Sequence, residues 1–319
     1  MTKDRLIYLP LGGAGEIGMN LYVYGYGPKD EERLIIVDLG VAFPDMDTTP
    51  GIDLIFPDIA WLTDRRNKIE AIFITHAHED HIGALGHLWA KLGAPVYARN
   101  FTSKIAIGKL EENGQTGQNV NVVSSWPDTT KVGPFKVSYL PVSHSIPESS
   151  ALVIDTPKGR LIHSGDFKLD EKPVVGEAFN HQIWQEVCSP GVRAFICDST
   201  NVFSKNEGRS ESEVAPEIRK LIEKCSEMVV ATTFASNVAR IKSLAEAAEE
   251  AGRSVCLMGK AMKRMIEVSI ESGVLSDFPN FISPEDAKKV PKRNLLLIVT
   301  GSQGERRAAS AQLANGKYQ

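Results

Sequence analysis

The heptapeptide "THAHEDH", residues 75–81, constrains this chain more than any other stretch. It follows directly on the short apolar run that begins "AIFI" (71–74) and places His76, His78, Asp80 and His81 within six residues, in a chain with only seven histidines. His76 and His78 are two apart, so an extended segment turns both to one side. Asp80 and His81 fall where the chain enters "GALGHLWAKLG" (83–93), in which Leu85, Leu88, Trp89 and Leu92 share one helical face. A strand–turn–helix of this kind can aim two ligands at one metal and two at its neighbour. The spacing differs from H-E-x-x-H, where the histidines stand at i and i+4 on a helix. Imidazole with carboxylate suits zinc, with manganese as the alternative. A binuclear site needs further donors. His144 in "PVSHSIPES" and Asp166 in "SGDFKLD" each follow a strand-like run.

A second motif points elsewhere at first sight. Gly13-Ala-Gly15-Glu-Ile-Gly18 spells G-x-G-x-x-G, and Asp38 stands twenty residues beyond it. A dinucleotide fingerprint needs a helix after the glycines. The residues that follow, "MNLYVYGYG", are rich in Tyr and Val and read as a strand. The glycines are therefore expected to form a turn between two strands, with no pyrophosphate site.

Residues up to about 205 read mostly as strands separated by Gly, Pro and Asp: "RLIYLPL", "RLIIVDLG", "APVYA", "FKVSYLPV", "SALVIDT", "GRLIHSGD" and "VRAFICDST". Beyond the polar stretch "SKNEGRSESEVAPE", helices near 214–226, 237–251 and 260–272 alternate with the strands "MVVATT", "SVCLM" and "NLLLIVT". That alternation predicts a parallel sheet, and hence an α/β class with domains at 1–205 and 206–319. The net charge of −4 excludes a generally basic protein but leaves room for a local positive groove. Cys188, Cys197, Cys225 and Cys256 have no C-x-x-C spacing and are expected to be buried free thiols. No apolar run approaches the ~18 residues of a membrane span, and the N-terminus is too polar for a signal peptide, so a cytoplasmic protein is expected.

The order H-x-H-x-D-H, then a histidine, then Gly-Asp resembles the metallo-β-lactamase fold superfamily, and more closely the ribonuclease J family of its β-CASP branch. The resemblance runs over essentially all 319 residues. It is carried by "LGGAGEIGMN", "FPDMDTTPGIDLIFPD", "THAHEDHIGAL", "SHSIPES", "SGDFKLD", "DSTNV", "TTFASNVAR" and "TGSQGE". It implies a metallo-β-lactamase αββα sandwich followed by part of a β-CASP domain. It implies two zinc ions, with His76, His78 and His144 on one, Asp80 and His81 on the other, and Asp166 bridging. Asp80, Asp166 and His81 then carry catalysis. Asp38 closes the strand "LIIVD", where the superfamily places a carboxylate that orients a ligand histidine. Asp198 matches the β-CASP acidic motif near the metals. Ser236 and Asn237 sit where "VVATT" meets its helix, and two readings stay open there: an ordinary helix N-cap, or contact with an RNA phosphate. Ser302, in the turn Gly301-Ser302-Gln303-Gly304, carries the same two readings.

The implied activity is hydrolysis of RNA phosphodiesters, as an endonuclease and a 5′-exonuclease. The family pattern has two later histidine motifs, whereas no histidine follows His181 here. A shortened chain is therefore expected, with an incomplete sandwich, a second metal one protein ligand short and weakened activity. Exposed apolar edges would then favour a homo-oligomer, such as a dimer. The alternatives are a hydrolase of small esters, lactones or β-lactams, and a non-catalytic fragment that binds one metal or none. Among the remaining histidines, His87 is expected on a surface or in packing, and His163 in the core or beside the ligands. His181 is expected to be structural. "KKVPKRN" (288–293 and its flank) reads as a solvated loop, or as part of an RNA groove.

Overall fold

The computed structural model describes residues 3–44, 49–206, 208–302 and 308–317. Of the turn expected to approach phosphate, Gln303 and Gly304 lie outside the described residues. The chain forms two compact units. The first comprises residues 1–142, 148–167 and 180–202; the second comprises 143–147, 168–179 and 203–319.

The first unit is built on two sheets. One has the order β1 (Arg5–Gly12), β2 (Leu21–Gly27), β3 (Arg33–Val37), β4 (Ile69–Phe73), β5 (Val96–Ala98), β6 (Val120–Val122). Its first three strands are antiparallel, and β3 to β6 run parallel. The other has the order β11 (Val192–Ile196), β10 (Gly159–His163), β9 (Ser150–Thr156), β8 (Phe135–Pro141), β7 (Thr130–Val132). It is antiparallel except where β11 joins β10. The sheets pack face to face because alternate residues of each are large and apolar. Tyr24, Ile35, Val37 and Phe73 of the first meet Phe135, Val137, Tyr139, Leu152 and Ile154 of the second.

The glycine stretch is the connection between β1 and β2, with no helix in it, as its aromatic sequel requires. The helical face read at 83–93 forms Leu85–Leu92 and buries Leu85, Leu88 and Leu92. It stops at Gly93, whose φ of 66° suits a helix end in the left-handed region. Helix Asn100–Glu112 was not expected; it buries Phe101, Ile105, Ala106 and Leu110, but Lys104, Gly108 and Lys109 interrupt its apolar stripe.

In the second unit, β12 (Val229–Thr232), β15 (Leu295–Val299), β13 (Ser254–Met258) and β14 (Phe281–Ile282) form a wholly parallel sheet. Strands covered on both faces read as unbroken apolar runs, which is how "SVCLM" and "NLLLIV" appear. Val255, Leu257, Leu296 and Ile298 pack on one face with Ile222, Val238, Ile241 and Ile266 from helices Glu211–Lys224, Val238–Glu250 and Lys260–Glu271. Cys256, Met258, Leu295 and Leu297 pack on the other with Ala287 and Ala309. The polar stretch near the end holds a short helix, Ala309–Ala314.

The expectation of buried thiols is corrected at three of four positions: Cys188, Cys197 and Cys225 are exposed, and only Cys256 is buried. Cys197 follows β11, whose residues are largely uncovered, and Cys225 ends a helix with only one face packed. All four are free. Among the described residues, no helix is long and apolar enough to cross a membrane.

Candidate metal centre

Strand β4 ends at Phe73, and the chain runs on extended through His76 before turning at His78 into the one-turn helix Glu79–Ile82. The extension puts His76 Nε2 3.1 Å from His78 Nδ1, on one side as their spacing required. The turn then brings the His81 ring to 4.0 Å from the His76 ring, centroid to centroid. Asp166 follows β10 and places Oδ1 3.3 Å from His81 Nε2, while Asp80 Oδ2 lies 3.5 Å from the same nitrogen.

Two groups of possible ligands result. His76, His78, His144 and Asp166 each offer one atom, all within 4.8 Å of one another; Asp80, His81 and Asp166 do the same. Asp166 belongs to both. All six residues singled out as ligands from the sequence are thus brought together.

Asp38 is the first residue after β3 and is fully buried, with φ at 62°. Its backbone N–H donates to Phe73, and its Oδ1 accepts from the Thr75 N–H at 2.7 Å. Its Oδ2 takes the Thr75 hydroxyl at 2.9 Å and meets His81 Nδ1 at 2.7 Å. A carboxylate at Nδ1 fixes the proton there and leaves Nε2 as the ligating atom. Thr75 Oγ1 also lies 3.0 Å from His76 Nδ1, so one buried carboxylate steadies two histidines. The structure thus places Asp38 against His81 and Thr75, beside the candidate ligands.

The charges also favour a cation. Burial opposes charge on His81, yet Asp38 and then Asp166 outweigh it and hold the imidazole pKa well above its ordinary value. Burial, with Asp166 adding to it and His81 opposing it, raises the pKa of Asp80. Three carboxylates therefore converge on one imidazole, and a proton there is a partial remedy for the surplus negative charge. A divalent cation is a fuller one, and the His/Asp donor set suits such an ion.

Other expected residues take more local roles. Asp198 caps its own turn, its Oδ1 accepting from the Thr200 N–H at 2.8 Å, and its N–H donates to Ser164 Oγ. Its charge is felt at Tyr22, whose pKa is raised by burial, then Asp38, Tyr8, Asp166 and Asp198. Asn237 is the N-cap of its helix, with Oδ1 accepting from the Arg240 N–H at 3.0 Å. Ser236 precedes it and is partly buried, and Ser302 is exposed beyond β15. His163 is buried in the core between Tyr22 and Tyr24. His87 is exposed, its ring 5.0 Å from Phe56, and His181 is exposed at the start of helix His181–Cys188. Lys288, Lys289 and Lys292 are exposed, in keeping with a solvated stretch.

Three residues with evident roles had not been singled out: Thr75, Asn20 and Tyr22. Asn20 lies against both Asp80 and His81.

A two-sheet sandwich with its histidines and carboxylates at the strand ends defines a metallohydrolase architecture, and the metallo-β-lactamase superfamily model matches residues 19–188, more than half of the sequence. The chain belongs to that superfamily. Residues 226–319 match the ribonuclease J β-CASP domain, a mixed α/β assignment that agrees with the parallel sheet of the second unit. A protein named Ribonuclease J from Sinorhizobium meliloti is 44% identical over 98% of this chain, and one from Thermus thermophilus is 36% identical over 98%. The chain spans 56% and 55% of their lengths. A solved structure of an Enterococcus faecalis V583 protein of unknown function superimposes with a TM-score of 0.62 at 19% identity, covering 93% of this chain and 78% of that one. It shares the fold.

Proposed function

We propose that this chain works as a metal-dependent ribonuclease of the ribonuclease J kind, hydrolysing RNA phosphodiesters as an endonuclease and 5′-exonuclease. The observation that carries the reading is Asp166, which stands in both ligand groups and so can join two ions side by side. The names of the relatives, and the ribonuclease J character of residues 226–319, support RNA as the substrate.

His76, His78 and His144 would hold one ion, Asp80 and His81 the other, and Asp166 both. When bound, two adjacent divalent cations supply water activation near neutral pH and charge neutralisation at a phosphodiester. The chain's own part is orientation: Asp38 keeps the His81 proton on Nδ1, and Thr75 couples that anchor to His76. Zinc fits the imidazole-rich group, and manganese is the alternative for the carboxylate-rich one. Ser236, Asn237 and Ser302 are the proposed phosphate contacts. Asn237 commits Oδ1 to its helix, which leaves its amide N–H groups as the donors it would offer. The division into working domains is placed at 1–205 and 206–319. The cytoplasm is the proposed place of action.

The same sample, after metal analysis, should be assayed on 5′-monophosphorylated RNA, nitrocefin and a lactone. RNA turnover that disappears with His76→Ala and Asp80→Ala together supports the reading. RNA turnover that survives both changes sinks it. Nitrocefin hydrolysis without RNA turnover replaces RNA with a small carbonyl substrate. A homodimer is proposed as well, on the strength of edge strand β11, where Phe195 is 51% exposed. Light scattering that finds a monomer at every concentration would overturn that part.

A further inference from the structure

The residue just before β2 is Asn20, which is 8% exposed. Its backbone is fixed against the ligand segment. The Asn20 N–H donates to the Asp80 carbonyl at 2.9 Å, and the Gly40 N–H donates to the Asn20 carbonyl at 3.0 Å. Its side chain reaches the same segment. Nδ2 lies 3.3 Å from Asp80 Oδ2 and 3.1 Å from His81 Nε2. Oδ1 accepts a hydrogen bond from the Tyr22 hydroxyl at 2.8 Å.

These contacts decide which way the amide points. With the Tyr22 hydroxyl donating to Oδ1, the N–H groups of Asn20 must face the Asp80 carboxylate. The reverse orientation would set a carbonyl oxygen against a carboxylate oxygen. Gly13 closes over the pair: its φ is 80°, and an added Cβ would overlap Asn20 Oδ1 and the Tyr22 hydroxyl oxygen. The loop that resembles a nucleotide fingerprint therefore owes this glycine to the amide beneath it.

We propose that Asn20 is a positioning residue for the Asp80–His81 half of the site, with the Tyr22 hydroxyl setting the direction of its amide. The inference rests on the metal-binding reading above. An imidazole nitrogen that ligates a cation has no lone pair left to accept a hydrogen bond. Loading the site therefore assigns Nδ2 to Asp80 alone, where it holds the carboxylate by Oδ2 and fixes the orientation in which the group can ligate. Tyr22 touches neither ligand and acts through Asn20.

The test is a titration of the 319-residue chain with cobalt(II) or zinc against a competing chelator, first on the parent. Asn20→Ala should weaken one of the two ions about tenfold, within the range usual for such partners of metal ligands. Its share of the cobalt absorption spectrum should change in shape. Tyr22→Phe keeps the ring and its packing, and should weaken the same ion about threefold. The double variant should lose little beyond Asn20→Ala alone, because the hydroxyl's hydrogen bond is to Asn20 Oδ1. Parent-like affinity and spectrum in both single variants would overturn the proposal while the metal reading stands. A parent chain that takes up no ion would overturn both, and that result is in hand before any variant is compared.

Discussion

Asp38 Oδ2 lies 2.7 Å from His81 Nδ1, with both side chains almost wholly removed from solvent. A buried carboxylate without its partner is costly, and an imidazole without its anchor turns freely. Asp38→Asn keeps the shape and removes the charge. We expect the affinity for the ion held by Asp80, His81 and Asp166 to fall at least about tenfold. Competition with a metal chelator measures this directly, and parent-like affinity would remove Asp38 from the site.

Gly40 is a steric prediction. Its N–H serves Asn20, and an added Cβ would overlap the Asp80 carbonyl oxygen. Backbone cannot give way as a flexible side chain can, so Gly40→Ala should cost the ~1–3 kcal/mol of stability typical of overpacking, lower the unfolding midpoint accordingly and weaken metal loading with it. Calorimetry and metal analysis on one preparation check both. Normal loading at a normal midpoint would show that residues 38–41 do not press on the ligand turn.

Acid stability should report on His163. Burial lowers its pKa from 6.5 to about 4, and its Nδ1 lies 2.9 Å from the Tyr24 hydroxyl. Between those values the unfolded chain binds a proton that the native state refuses. The native state therefore holds this contribution in full above pH 6.5 and loses it as pH falls toward 4, on the order of 3 kcal/mol in all. Urea denaturation from pH 7 to 4 should show the decline, and His163→Gln should flatten it. An equal decline in the variant would assign the effect to other groups.

Metal affinity should depend on pH in the same direction for a different reason. The His81 pKa lies well above its ordinary value in the metal-free site, with Asp38 and Asp166 prevailing over burial. A cation must displace that proton, so affinity rises with pH through 6.5 and beyond. Asp38→Asn removes part of the pull on the proton and should move the rise to lower pH. Titrations at pH 6 and 8 check this, and affinity that is flat between them would place the proton elsewhere.

The candidate ligands at 76–81 were legible because their spacing is local, whereas His144 and Asp166 took their ligand roles from the family resemblance. His76, His78 and His81 declare themselves within one turn of chain, and the strand before them is a plain apolar run. β13 and β15 were legible for the same reason, since burial on both faces leaves no polar residue to confuse the pattern. Asn20 was not, because its partners lie 60 and 61 positions away and its own neighbourhood looks like a turn. Asp38 was more deceptive: read locally with the glycines, it mimics a ribose-binding acid, and only the resemblance to a family moved it to the metal centre. Helix Asn100–Glu112 hid behind the lysines and glycine in its stripe, and its first free N–H groups are met from far away, Glu148 Oε2 accepting from Phe101 N–H at 2.5 Å.

Asp80 and His81 leave the end of β4, in one sheet, whereas Asp166 leaves the end of β10, in the other. A cation gripping all three is a removable cross-link between the two layers. It closes a long loop of chain that would otherwise cost entropy to bring together. Ion loading at this site would then decide how long the sandwich survives heat or protease, quite apart from any reaction it assists.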